Sequence, residues 1–190
     1  MSLNLAIVML TVFSFLGCGE NTDSISGKQE FMKKQIVKPD NPYYSRTDTS
    51  KLNLTDSEWK KVLPEDVYEV ARNKATERAF TGKYWDFEGK GTYYCAACGN
   101  PLFRSDAKFA STCGWPSFFE PMRGNSVIYN PDDSYGMHRI EVLCGRCGAH
   151  LGHIFDDGPL PTGLRYCMNS VVLGFEGEDK SNEGNNKRNE

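Results

Sequence analysis

The chain is 190 residues long, 39% hydrophobic and 12% aromatic, with 22 Lys and Arg against 25 Asp and Glu for a formal net charge of −3. That length suits one ordinary domain with terminal extensions, and the apolar content excludes a chain disordered throughout. The slightly acidic balance argues against a nucleic-acid partner, which calls for a basic face, and leaves a small molecule or a protein as substrate.

Leu3 to Leu16 is nearly all apolar. The run is too short for a comfortable membrane span and reads as the apolar region of a signal peptide over residues 1–18. Its end, Phe15-Leu16-Gly17-Cys18, resembles a bacterial lipobox, in which the cysteine is cleaved and acylated. No Lys or Arg precedes the run and Leu16 is bulky, so an uncleaved leader and a plain secretory signal stay open. Two or three acyl chains on Cys18 would anchor the protein stably, where one alone is marginal. Residues 19–50 are polar and aperiodic and read as a tether. The domain is expected over 51–176, and the Gly-, Asn- and charge-rich stretch 177–190 is expected to be disordered. The expected location is the bacterial cell envelope, lipid-anchored or periplasmic, with the cytoplasm as the alternative.

Thr55-Asp56-Ser57-Glu58 is a capping box that predicts a short helix through Leu63. Pro64-Glu65-Asp66 restarts a second helix, with Val67, Val70 and Ala71 on its apolar face, Lys74 and Arg78 in its last turns and Gly82 ending the helical region. Beyond it lie short runs rich in Tyr, Phe, Val and Ile, broken by Gly, Pro, Asn and Asp. Gly91 to Cys95, Phe118 to Phe119, Ser126 to Tyr129, Gly136 to Leu143 and Ser170 to Phe175 read as strands, and Asn130-Pro131-Asp132-Asp133 as a turn. Helices first and strands without long crossovers afterwards predict an α+β domain, mainly antiparallel β, with a small barrel or sandwich as its body.

The seven cysteines fall into groups. Cys95-Ala96-Ala97-Cys98 and Cys144-Gly145-Arg146-Cys147 are CxxC knuckles, each followed by a glycine that suits a tight turn. Four thiolates suit one structural Zn2+, although the interval between the pairs is longer than in compact ribbons. Local disulfides or a redox dithiol are the competing readings. Cys113, in Cys-Gly-Trp-Pro-Ser-Phe, and Cys167, in Arg-Tyr-Cys-Met-Asn-Ser, remain. A structural disulfide is the bland reading for them. A nucleophile with a resolving partner is the sharper one, since Arg165 and Asn169 flank Cys167 and can favour its thiolate. A free thiol is only roughly 3% ionised at pH 7, so such help matters. His150 and His153 form His-x-x-His, which by itself is equally a metal site, a surface pair or catalytic.

Several segments together carry a resemblance. They are Thr76-Glu77-Arg78-Ala79-Phe80-Thr81-Gly82, Cys113-Gly114-Trp115-Pro116-Ser117-Phe118, His138-Arg139-Ile140-Glu141, His150-Leu151-Gly152-His153-Ile154-Phe155, Asp157-Gly158-Pro159 and Arg165-Tyr166-Cys167-Met168-Asn169-Ser170. In order, and with both knuckles, they resemble the type B peptide-methionine sulfoxide reductases from about Leu54 to Phe175. The resemblance implies that the Cys167 thiolate attacks the sulfur of methionine-R-sulfoxide and becomes a sulfenic acid. Cys113 then condenses with it to a disulfide, which thioredoxin, or an envelope thioredoxin-like reductant, reopens. It further implies that His150, His153 and Asn169 surround the sulfoxide oxygen and that Trp115 walls the S-methyl group. Thr81 and Arg165 are weaker candidates near the substrate; Arg165 either steadies the thiolate or pairs with a carboxylate such as Glu141. His138 is expected to be structural. The chain carries no type A segment, so the S epimer is expected to be left alone. Two other classes compete. A zinc-pinned binding module would have no need of Cys167, His150 and His153, and a general disulfide exchanger would place its reactive pair within one CxxC.

Overall fold

The computed structural model describes residues 41–178; Cys18, the proposed leader, most of the proposed tether and residues 179–190 lie outside them. Among the described residues no helix is long and apolar enough to cross a membrane.

Residues 41–54 form an extended strap. Asn41 Nδ2 donates to the Ala97 carbonyl at 2.9 Å, and the backbone amides of Ser45 and Leu52 donate to the carbonyls of Cys98 and Arg146. The strap thus lies along both CxxC turns, and its Tyr43 ring meets Trp59 edge-on. Helix α1 (Asp56–Val62) carries the expected capping box, with Thr55 and Glu58 satisfying each other's backbone amides. Helix α2 (Glu65–Ala71) follows Pro64 and buries Val67, Tyr68, Val70 and Ala71. It does not continue to Gly82: Arg72 caps it, and Lys74 adopts a left-handed φ of 57°. Apolar periodicity stops at Ala71, so no packed face rewards further turns.

Nine strands follow among the described residues: β1 (Gly91–Cys95), β2 (Pro101–Arg104), β3 (Lys108–Phe109), β4 (Ser117–Phe118), β5 (Val127–Asp132), β6 (Arg139–Cys144), β7 (His150–Phe155), β8 (Arg165–Met168) and β9 (Leu173–Gly177). Every pairing is antiparallel. One sheet has the order β2-β1-β9 and the other β3-β4-β8-β7-β6-β5. The sheets face each other as a sandwich rather than a closed barrel. Tyr93 and Phe103 from the first meet Phe118 and Tyr166 from the second, with the Phe103 and Phe118 rings stacked at 4.4 Å. Each buried ring contributes about 1.5–3 kcal/mol by leaving water.

Three differences from the sequence reading have physical causes. Asn130-Pro131-Asp132 is strand, not turn, because β5 is the sheet edge and an edge proline costs no ladder bond; the chain turns one step later, through Ser134–Gly136. Ser170–Val172 is a 3-10 turn before β9. Strands β2, β3, β7 and β8 were not anticipated: two are very short or proline-led, and the other two carry the polar residues of the site.

Candidate active site and metal cluster

Cys167 lies on β8. Cys113 lies in the loop between β3 and β4, and β4 pairs with β8 so that Ser117 stands opposite Cys167. This register folds the loop back over β8 and brings the two Sγ atoms to 3.5 Å. Both cysteines are half-buried and free. The separation exceeds a disulfide bond of about 2.05 Å and suits a shared S–H···S hydrogen bond. Ser111 Oγ and Ser117 Oγ lie 3.0 and 3.4 Å from Cys113 Sγ. The bond from Cys167, joined by these hydroxyls against the opposing effect of burial, holds the Cys113 thiol down to about 4. Cys167 is pushed up, first by donating to Cys113 and then by burial, and Arg165 offsets only part of this. The shared hydrogen bond thus lowers one thiol of the pair and raises the other. Arg165 is also held from its other side. It grips Asp157 through two bonds of 2.8 Å and lies 4.4 Å over the Phe155 ring; Glu141 is not its partner.

His150 and His153 share β7. In a regular strand, residues three apart point to opposite faces. Here the β6–β7 ladder slips between Val142 and Leu143, leaving Leu151 as an extra residue. That bulge re-aims the strand, and the two rings meet at 5.4 Å. His150 Nδ1 lies 2.7 Å from Glu141 Oε1, both side chains almost wholly buried, while Lys74 Nζ donates to Oε2 at 2.9 Å. Burial lowers the pKa of His150 despite Glu141. His153 Nε2 lies 2.6 Å from Asp132 Oδ2, which also accepts from Arg139 Nη2 at 2.7 Å. Across the sheet, one ladder row reads Asn130, Glu141, His153, Cys167 and Ser117 on five neighbouring strands. Directly opposed residues share a face, so the row places His153 beside the nucleophile candidate. Gly152 permits the close approach: a Cβ there would sit 2.1 Å from the Cys167 carbonyl oxygen.

The remaining candidates form the surrounding wall. Trp115 Nε1 donates to the Glu77 carbonyl at 3.1 Å. The Glu77 carboxylate accepts the amides of Ser170 and Val171, and its own amide donates to Asn169 Oδ1. Asn169 Nδ2 donates to the Leu151 carbonyl, so both ends of this buried amide hold backbone. Thr81 is exposed, its hydroxyl bonded to the Arg78 carbonyl and to neither sulfur. His138 is exposed and pairs with Asp133. Sequence reasoning missed Glu77, Ser111, Asp132 and Asp157 as parts of the site. Only Ser111 and Ser117 carried a local signal, hydroxyls two and four positions from Cys113.

Four sulfurs gather elsewhere. Cys95, Cys98, Cys144 and Cys147 are buried with their sulfurs all within 4.8 Å of one another. The cross-knuckle distances are 3.8 Å for Cys95 to Cys147 and 3.6 Å for Cys98 to Cys144. A tetrahedron with metal–sulfur bonds of about 2.3 Å has edges of about 3.8 Å, so the cluster fits a four-coordinate metal ion. Gly99 and Gly148, at φ 80° and 68°, close the two turns. Arg146 is buried between the ligands of the second knuckle. Its guanidinium donates to the Tyr43 and Cys98 carbonyls at 2.7 and 2.6 Å and pairs with Asp48 at 2.8 Å.

This arrangement has close relatives. A SelR domain model matches residues 63–177. A peptide methionine sulfoxide reductase MsrB of Acinetobacter baumannii (strain SDF) is 52% identical over 134 residues, covering 70% of this chain and 96% of that protein. One from Herminiimonas arsenicoxydans is 51% identical, covering 71% and 98%, and one from Thiobacillus denitrificans is 54% identical, covering 66% and 95%. The chain belongs to the MsrB family of peptide methionine sulfoxide reductases. The SelR match takes in all four clustered cysteines, the Cys113–Cys167 pair, His150 and His153, whereas the strap and α1 precede it.

Proposed function

We propose that this MsrB protein reduces the R epimer of methionine sulfoxide in proteins, with Cys167 as nucleophile and Cys113 as resolving residue. The observation that carries this is the 3.5 Å approach of two half-buried, unbonded sulfurs beside two carboxylate-held histidines. When the sulfoxide enters, Cys167 passes its proton to the Cys113 thiolate and attacks the sulfoxide sulfur. The oxygen, which gains negative charge as the S–O bond polarises, takes one proton from the histidine side and moves to the Cys167 sulfur as its bond to the methionine sulfur breaks. Methionine leaves and Cys167 carries the sulfenic acid. Cys113 then attacks that sulfur, water departs and a disulfide joins the two positions. A thioredoxin-like dithiol reopens it by exchange. Trp115, fixed by Glu77, offers the apolar wall that a thiomethyl group favours, and Arg165 steadies the Cys167 thiolate once it forms. Asn169 acts through the backbone it holds, and Thr81 borders the loop that carries Glu77.

The four-cysteine cluster would hold one Zn2+ through Cys95, Cys98, Cys144 and Cys147. A closed sulfur shell supplies structural cross-linking and no open coordination position. Acylation at Cys18 would place the enzyme at the cell envelope with an envelope reductant; intact-mass measurement of the membrane fraction tests this, and an unmodified chain beginning at Met1 in the cytosol refutes it. The activity is tested with peptides bearing each sulfoxide epimer and dithiothreitol as reductant. Cys167→Ser is expected to lose R-epimer turnover completely with the fold retained; turnover equal to the parent would remove Cys167 from its role.

A further inference from the structure

The mechanism leaves open how two histidines three residues apart divide their work, and the carboxylates behind them answer it. We propose that Glu141 and Asp132 are positioning residues that lock His150 and His153 in opposite tautomers, with the hydrogen on Nδ1 of His150 and on Nε2 of His153, an inference that deepens the reductase reading and rests on it for its catalytic meaning. An ionised carboxylate accepts hydrogen bonds and donates none. Lys74 on Glu141 and Arg139 on Asp132 each supply a cation against the carboxylate, and bonds from Ser134, then from His153, hold the Asp132 carboxyl well below the usual range. The ring nitrogen facing each carboxylate must therefore carry the hydrogen. For His150 that nitrogen is Nδ1, at 2.7 Å from Glu141; for His153 it is Nε2, at 2.6 Å from Asp132. The uncommitted nitrogens are then Nε2 of His150 and Nδ1 of His153.

The distinction has a chemical use. A bulged strand delivers two rings to one face at 5.4 Å and 66°; with identical tautomers they would offer the same atom from displaced positions. With opposite tautomers the free nitrogens are different atoms, and each can take up a proton and pass it to an oxygen while the other hydrogen stays on its carboxylate. Cation–carboxylate–histidine chains arise twice from different residues. Lys74–Glu141–His150 starts in the left-handed turn after α2, and Arg139–Asp132–His153 lies wholly within the sheet.

The chain has three histidines, which makes long-range 1H–15N imidazole NMR on the reduced, metal-loaded full chain a direct test. At neutral to mildly alkaline pH, His150 should show a protonated Nδ1 and His153 a protonated Nε2. In Glu141→Gln the amide oxygen stays with Lys74 and the NH2 turns to His150, so His150 should flip to the Nε2–H form. Because a buried substitution can disturb folding, Asp132→Ala provides the second arm at a partly exposed site: His153 should relax to a mixture of tautomers while His150 stays unchanged. Both variants should lower the single-turnover rate on the R-sulfoxide peptide by on the order of 10²-fold with KM nearly unchanged. Parent rings in the same tautomer, or His150 unmoved by Glu141→Gln, would overturn the proposal. The NMR readout does not depend on turnover. Opposite tautomers in a parent chain that reduces neither epimer would thus uphold the lock and refute the reductase reading.

Discussion

The chain uses sulfur in two ways, and the two sites differ in neighbours rather than in residue type. In the knuckle cluster, four sulfurs converge from two turns in different sheets, solvent is excluded, and the last knuckle residue is only 6% exposed. In the Cys113–Cys167 pair, two half-buried sulfurs meet between an inner strand and the loop folded over it, with hydroxyls on one and a guanidinium near the other. Four converging thiols make a shell that a metal ion could close. Two make an unsaturated contact that can open, oxidise and close again. What decides the fate of a cysteine here is how many others the fold brings to it and whether a substrate can reach it.

The sharpest way to break this comparison is to empty the closed site. Metal binding to four-thiolate sites contributes on the order of 10 kcal/mol, comparable to the whole stability of a domain. Stripping the ion with a strong chelator, or Cys144→Ser, should therefore unfold the protein, visible as loss of the cooperative thermal transition. A chelated chain that keeps its Tm would mean that the cluster is only another thiol group.

Next comes the open site. Cys113→Ser should slow the first turnover, because the acceptor of the Cys167 proton is gone, and lose thiol-linked recycling, leaving sulfenic acid on Cys167 that a dimedone probe captures. The same variant has a pH signature. In the parent, thiolate absorbance near 240 nm should persist in the reduced protein as pH falls, and disappear only as Cys113 is protonated around pH 4. In Cys113→Ser it should be absent at pH 6. Equal absorbance in both would place the resting charge on Cys167.

A smaller effect is expected where the strap meets the cluster. Arg146→Ala removes two carbonyl bonds and the pair with half-exposed Asp48, costing about 2–3 kcal/mol. Release of metal to a colorimetric chelator should accelerate at least tenfold, while the reactivity of the Cys167–Cys113 pair in the folded protein stays the same. An unchanged release rate would show the strap to be ornamental to the cluster. The smallest effect concerns His150. Its folded pKa lies below the unfolded value of about 6.5, so folding disfavours its protonated form. The stability this contributes is complete above about pH 6.5 and is lost as pH falls from there toward the depressed folded value. His150→Gln should flatten that part of the stability profile measured by urea unfolding.

How much of this could be read from sequence depended on range. The knuckles, the capping box at Thr55 and Glu58, and the motif cysteines are local patterns, and each was legible. The second helix was drawn too long because Lys74 and Arg78 look like last-turn cations, whereas the chain turns after Ala71 to deliver Glu77 to the amides of Ser170 and Val171. Pro131 read as a turn because proline usually interrupts a ladder, and nothing local marked β5 as an edge. The carboxylate partners were invisible for a deeper reason. Glu141 reaches His150, and Asp132 reaches His153, only through a register that includes a bulge at Leu151. His-x-x-His on an unbulged strand would have put the rings on opposite faces. That the hydroxyl of Ser117 beside Cys113 also stands opposite Cys167 was likewise out of reach of local reading, because strand pairing places it there.

The ladder row from Glu141 through His153 and Cys167 to Ser117 also fixes how the site fails. Its spacings are those between neighbouring strands, about 4.8 Å each, and they are set by backbone bonds that the whole sheet shares. Insertions at the hairpin ends can be absorbed without touching it, but a slip of one residue between any two of these strands would turn a reacting side chain to the opposite face. Heat should act as one blow rather than many: the sheet's melting and the enzyme's silence would arrive at the same temperature.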